Sequence, residues 1–450
     1  MKYRMRITPI DKWVIQPVNR FVNKSTTGGI VLFVSAVIAL ILANSPWKDA
    51  YHHFWEYNIK FGVEGYVLDK TLHHWINDGL MAIFFFVVGL ELKREILGGE
   101  LSNPRNAILP VAAGLGGMIF PALLYLVFNT TGEAQNGWGI PMATDIAFAL
   151  GVLFLLGDRV PASLKLFLTA LAIADDIGAV LVIAFFYTSN ISYVSLLVGS
   201  AFLLLLILSN VLGVRSTIYY GILGIGGLWM AFLLSGVHAT IAGVLAAFTI
   251  PATVRIDEVG FVEKMKMYLE KFKNADPNGA PTVTPKQLHI LEDMRTLSKL
   301  AMTPLQRLEH GMHPFVTYIV MPIFALANAG VTLSTETASS TTSFVAIGII
   351  VGLLVGKFIG IVGVSSLMVK LKIATLPEGM NFKHLIGAGF LASIGFTMSL
   401  FVANLAFKNN DLIQQAKIGI LIASLIGGLI GFLFLYFNKS EPKYDLNEQE

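Results

Sequence analysis

The 450-residue chain contains no cysteine, which excludes disulfides and thiolate metal sites at the outset. Charge is scarce as well: 14% of residues are Asp, Glu, Lys or Arg, against 55% apolar ones. A soluble domain of this size uses about 25% charged residues to cover its surface. The net charge of +3 says little about partners, and no nucleic acid is expected. The histidine pairs His52/His53 and His73/His74 have no acidic partners at ligand spacing, so no metal site is expected there.

What the chain does have is apolar runs of roughly 20 residues, the length that crosses a bilayer as helix. Twelve such runs fall near 26–45, 78–98, 106–128, 137–157, 161–187, 193–211, 216–235, 238–253, 312–334, 343–369, 384–406 and 413–437. Several contain Gly or Pro, which spanning helices tolerate when neighbours satisfy the backbone. The connection 46–77 is long, and the alternation at Tyr57–Val63 and Gly65–Leu68 predicts a small hairpin.

Positive charge orients these runs. Lys and Arg populate the N-terminal tail and alternate loops, whereas the loops after the third, fifth, seventh and ninth runs have none. The positive-inside rule then places both termini in the cytoplasm, in agreement with an even number of spans. Residues 1–25 read as a retained cytoplasmic tail and 438–450 as a second one. Residues 253–304 are polar, with helix-like stretches at Phe261–Lys273 and Pro285–Ala301, and read as a cytoplasmic insertion between two parts of one membrane domain, 26–252 and 305–437.

An ionisable side chain at mid-bilayer costs about 3 kcal/mol or more, so each one is a functional hypothesis. Asp145, Asp175, Asp176 and Lys357 meet that test. Asp175 and Asp176 project about 100° apart on one helix and can border one cavity unequally. Two close carboxylates cannot both ionise cheaply without a cation, so a metal cation and protons compete for them. Gly137, Gly139 and Pro141 discourage a continuous helix before Asp145, and Thr144-Asp145 suit a helix N-cap. The run Gly389–Ser399 carries a comparable interruption, and two interrupted spans in different halves point to a transporter site. Lys357 needs a carboxylate partner or must be neutral, and Asp175 and Asp176 are the natural candidates for the partner. Near the cytoplasmic ends, Glu91, Lys93, Arg94 and Glu95 face the sequence Arg307–His313, where His310 can respond to pH near neutrality.

Eight segments, taken together, resemble the NhaA family of bacterial sodium/proton antiporters. They are FFFVVGLELKRE (Phe84–Glu95), GWGIPMATDIAFAL (Gly137–Leu150), ALAIADDIGA (Ala170–Ala179), SGVHATIAG (Ser235–Gly243), RLEH (Arg307–His310), FALANAG (Phe324–Gly330), GLLVGKFIG (Gly352–Gly360) and IGFTMSLF (Ile394–Phe401). The resemblance implies an all-α polytopic membrane protein of about twelve helices, with inverted repeats and two broken helices crossing near mid-bilayer. It implies an electrogenic carrier, not an enzyme, that exports Na+ or Li+ in exchange for protons without a cofactor and maintains sodium and pH homeostasis. Asp175 and Asp176 would bind the cation and exchange protons, Asp145 and Thr144 would line or compensate the crossing, and Lys357 would pair with an aspartate. Glu91, Glu95, Glu309 and His310 would belong to a pH-responsive region, with His238 also linked to it. The location would be the inner membrane, in contact with lipid, and the assembly a homodimer joined through residues 46–77. The insertion is longer than is usual for such proteins. An intramembrane aspartyl protease, a passive cation channel and a sodium-coupled solute symporter are the competing classes. The first lacks its Gly-x-Gly-Asp motif here, and the last lacks an obvious second site.

Overall fold

The computed structural model describes residues 26–63, 66–188, 191–275, 282–332 and 343–438; both predicted tails lie almost wholly outside them. The long apolar runs are rich in Leu, Ile, Ala and Gly on all sides rather than along one stripe, and such helices are either deeply buried or surrounded by lipid. Both fates occur. Tyr125, Phe85 and Phe324 are fully buried, whereas Phe185, Leu212 and Phe437 are more than 75% exposed on the outer surface.

The chain begins with α1 (Thr27–Ala43) and a short polar helix α2 (Lys48–Glu56). Strands β1 (Asn58–Val63) and β2 (Tyr66–Thr71) follow as the predicted hairpin, with Asn58 opposite Thr71. A single turn and a π-helical stretch, Ile76–Leu80, lead into α3 (Met81–Gly98). Next come α4 (Pro104–Phe128), a tight helical coil at Glu133–Met142 that opens into α5 (Ile146–Leu155), α6 (Ala162–Phe186) and α7 (Tyr193–Val211). After these lie α8 (Thr217–Leu233), α9 (Ala239–Thr249), α10 (Glu258–Lys273) and α11 (Pro285–Ala301). The last five are α12 (Pro304–Asn328), α13 (Phe344–Lys370), α14 (Phe382–Leu391), α15 (Phe396–Ala406) and α16 (Asn410–Phe437).

Among the described residues seven helices are long and apolar enough to cross a membrane, or up to nine if two bent pairs each count as one. α8 and α9 are apolar but shorter. The 11 residues of α9 give about 16 Å of helix, half a hydrocarbon core. Helix length alone therefore does not establish twelve spans.

One helix start differs from that expected, and the two interruptions fall within the expected segments. α12 starts at Pro304 rather than near 312, because Thr303 and Gln306 form a capping box that begins the helix inside the charged stretch. The first interruption falls at extended Ala143–Asp145, directly after the tight coil that holds Gly137, Gly139 and Pro141, with Asp145 as the expected N-cap. The second lies between Leu391 and Phe396, where α14 and α15 meet at 45°.

Two large apolar cores result, beside a small cluster of Met118, Ala122 and Met142. The larger joins α1, α12, α13 and α14 to α16, and a smaller one packs Leu90 of α3 with Leu206, Leu228 and Ala247 of α7, α8 and α9. α3 contributes to both, so its buried face is the seam between them.

Candidate ion-binding site

The two helix interruptions touch each other. The Asp145 N–H donates to the Ile394 carbonyl at 2.7 Å, and the Ser399 hydroxyl reaches back to the Ile140 carbonyl at 2.8 Å. An interruption inside apolar surroundings exposes unpaired N–H groups at the start of the next helix, each of which needs an acceptor. One side chain serves both helices. Asp145 Oδ1 accepts from Phe148 N in the first turn of α5 at 2.9 Å, while Oδ2 accepts from Thr397 N at 3.1 Å and from the Thr397 hydroxyl. The carboxylate thus lies at two positive helix ends, which favour negative charge.

Thr144 points the other way, toward α6 and α13. Lys357 Nζ donates to Asp175 Oδ2 and to Thr144 Oγ1, both at 2.5 Å, and the Thr144 hydroxyl lies 2.7 Å from the same Asp175 oxygen. Thr144 Oγ1 is also 3.1 Å from the Ala392 carbonyl, which links this group to the second interruption. Lys357 and Asp175 both have fully buried side chains. Of the two carboxylates expected as partners for Lys357, the structure selects Asp175.

Asp176 is left unpaired. It is 1% exposed, and neither of its side-chain oxygens has a hydrogen-bond partner; Asp175 Oδ1 is unpartnered too. Asp176 faces a cavity of about 220 Å3 between α3, α6 and α9, lined otherwise by apolar side chains such as Val88, Val180 and Val244. Three carboxylate oxygens without donors on adjacent residues, one cation nearby and a void beside them make a cation-ready arrangement.

Close helix approach makes this geometry. A Cβ on Gly114 would come within 3.3 Å of Asp175 Oδ1 and 3.1 Å of Ala174 Cβ, so glycine there lets α4 lie close beside the aspartates. Gly116 of α4 and Gly360 of α13 meet backbone to backbone, and Gly356 packs on Pro121. Lys357 sits between two π-helical turns, Gly352–Gly356 and Ile359–Gly363. Such turns are frequent at functional sites because they re-aim a side chain within a helix.

The sequence also matches the family described as Na+/H+ antiporter 1 over residues 19–435. The chain belongs to the NhaA family of Na+/H+ antiporters. A protein of Acidithiobacillus ferrooxidans named Na(+)/H(+) antiporter NhaA is 50% identical over 437 residues, covering 96% of this chain and all of the relative. One of the same name in Oleidesulfovibrio alaskensis is 50% identical over 428 residues, 95% of each chain. Another in Wolinella succinogenes is 48% identical over 416 residues, 92% of each.

In this member of the NhaA family the residues expected to respond to pH are not one cluster. Arg94 bridges Glu95 at 2.9 Å and Glu309 at 2.8 Å, joining the C-terminal part of α3 to the first turns of α12. Glu91 lies one turn deeper and half-buried, while His310 is exposed. Lys93 caps α9 through the Phe248 and Ile250 carbonyls, each at 2.6 Å. His238 lies at the opposite end of α9, where its Nε2 is 3.5 Å from Asp78 and its Nδ1 2.8 Å from the Thr240 hydroxyl; His74 meets Asp78 at 2.9 Å.

Four groups escaped the reading of the sequence. Thr397 was hidden because a threonine is unremarkable in a spanning helix. Asn328 bonds to Asn77, His73 and Asn404, and those partners are distant in sequence. Asp78 and Lys417, the latter 7% exposed, lie near span ends where charge is ordinary.

Proposed function

We propose that Asp175 and Asp176 form the site at which this Na+/H+ antiporter exchanges its two substrates. The observation that carries this reading is Asp176, buried and with both side-chain oxygens unpaired, next to an Asp175 already neutralised by Lys357. With Lys357 charged and both aspartates ionised, the group bears one net negative charge in an apolar setting. Either a proton or Na+ on Asp176 removes that cost, so the two compete.

A second proton follows from the same arrangement. Na+ seeks further oxygens and draws on Asp175, which loosens the Lys357 ammonium from its carboxylate. A desolvated ammonium without a partner sheds its proton readily. Two protons per Na+ then move one net charge per cycle, worth about 2.3 kcal/mol per 100 mV of membrane potential. Na+ export is driven by the potential even without a pH gradient, and Li+ fits the same oxygen site.

The cavity beside Asp176 supplies one access route, with Glu91 and the Arg94–Glu95–Glu309 bridge at its cytoplasmic end. Charge on those groups sets the cation concentration at the mouth and gives the carrier its response to cytoplasmic pH. His238 acts separately at the outer end. Asp145 and Thr144 hold the crossing while the two cores move past each other about α3 in alternating access, within the inverted-repeat frame of twelve spans. Both termini and residues 253–304 lie on the cytoplasmic side of the bacterial inner membrane. The β1–β2 hairpin, a two-stranded sheet, pairs through a free edge with a second copy.

The test is proton movement in everted vesicles on addition of Na+, with Asp176→Asn beside the parent. The proposal predicts a Na+-evoked proton signal in the parent and none in the variant. Equal signals would move the exchange site elsewhere, and ion flux without proton movement would favour a channel.

A further inference from the structure

Transport gives no role to the hairpin of α10 and α11. Its base is fixed to the bundle, since Arg255 N–H donates to the Leu300 carbonyl and Leu305 N–H to the Pro251 carbonyl, both at 3.1 Å. It therefore emerges where α9 ends and α12 begins, at the ends of two apolar helices. α10 packs on α11 through the half-buried Phe261, Met265, Tyr268 and Phe272, and α11 answers with the buried Gln287 and Leu297.

A second stripe on α10 stays exposed. At about 100° per residue, Val259, Val262, Lys266, Leu269 and Lys273 fall together, roughly a third of a turn round from the packed seam. Val259 is 67% and Leu269 55% exposed. On α11, Leu288, Leu291, Arg295 and Lys299 fall together at a similar rotation from its own seam. The two helices run antiparallel, so equal rotations in the same sense bring both stripes to one side of the hairpin. The two stripes carry five apolar and four basic residues, and they are bordered about 20° further round by Glu258 and Glu270 on α10 and by Glu292 on α11. Apolar side chains interleaved with Lys and Arg alone are the pattern of a helix lying in a membrane interface.

We propose that this face docks on the anionic phospholipid surface around the transporter, its basic groups on phosphates and its Val and Leu side chains among the first acyl carbons. Only two residues separate α11 from α12, the helix that carries Glu309, so docking is mechanically tied to the Arg94–Glu309 bridge.

The absence of cysteine allows a direct test. Val262→Cys and, on a different face, Met267→Cys are each labelled with an environment-sensitive fluorophore in the full-length protein. Nanodiscs contain phosphatidylglycerol or phosphatidylcholine, with a nitroxide quencher at headgroup depth. The proposal predicts quenching at position 262 but not at 267 in the anionic discs, and its loss in the uncharged ones. Lys266→Gln and Lys273→Gln lower the ratio of docked to undocked hairpin about fivefold each. Equal quenching at both positions, an unquenched 262, or shielding of 262 that ignores lipid charge, as a covering protein would give, overturns it.

Discussion

Lys357 and Asp175 form a hydrogen-bonded ion pair at 2.5 Å in which neither side chain reaches solvent. Such a pair gives little net stability while intact, but removing one partner leaves an uncompensated buried charge and costs about 3–5 kcal/mol. Lys357→Met therefore lowers the unfolding midpoint of the purified protein sharply, and adding Asp175→Asn restores most of the loss. Thermal unfolding of the two variants beside the parent checks this, and a double variant no more stable than Lys357→Met contradicts it.

The Asp145–Thr397 contact gives a milder expectation. Thr397→Val keeps the backbone N–H but removes the hydroxyl that donates to the Asp145 carboxylate. A hydrogen bond to a charged group contributes about 1.5–3 kcal/mol. The unfolding midpoint should fall accordingly, Thr397→Ser should restore it, and Na+-evoked proton movement should persist in both.

Gly360 and Gly363 lie one turn apart on α13 and should behave oppositely. A Cβ at Gly360 collides with the backbone of Gly116, whereas at Gly363 the nearest atom is 4.0 Å away. Gly360→Ala pushes α13 off α4, costs about 1–3 kcal/mol of overpacking and displaces Lys357, so transport falls. Gly363→Ala is neutral or gains up to about 1 kcal/mol from helix propensity. Unfolding midpoints and vesicle transport of the pair check the contrast.

Outside the bilayer segments, burial pushes the His73 imidazole down to about 4, with the Lys417 charge adding to the effect. A depressed folded-state value means that the neutral ring belongs to the folded protein. Its contribution is complete above the unfolded value of about 6.5 and is lost as pH falls toward 4, to the extent of about 3 kcal/mol. The parent should lose unfolding midpoint over that interval, and His73→Gln should flatten the profile.

Much of this was legible in the residues because hydrocarbon is a strict solvent. Asp145, Asp175, Asp176 and Lys357 stood out since nothing near them in sequence offsets their cost, and all four are 0–1% exposed in the fold. The polarity of α10 and α11 likewise sets them apart from the apolar helices in the sequence alone. Which aspartate takes Lys357 was not legible. That choice depends on the π-helical turns of α13 and on the Gly116–Gly360 contact, which arise from three-dimensional packing and leave no local pattern. The interruption before Asp145 is legible from Gly137, Gly139, Pro141 and the Thr144-Asp145 cap, but the packing role of the glycines is not, since Tyr125 and Tyr187 lie where their Cβ atoms would be. Those glycines serve packing, and the interruption is set by the backbone bond from Asp145 to Ile394.

The most direct test of competition at Asp176 is proton release by the purified protein when Na+ is added in weak buffer across a pH series. The account predicts saturable release from the parent and none from Asp176→Asn. Undiminished release from Asp176→Asn, or Na+ binding to the parent with no proton set free at any pH, would contradict it.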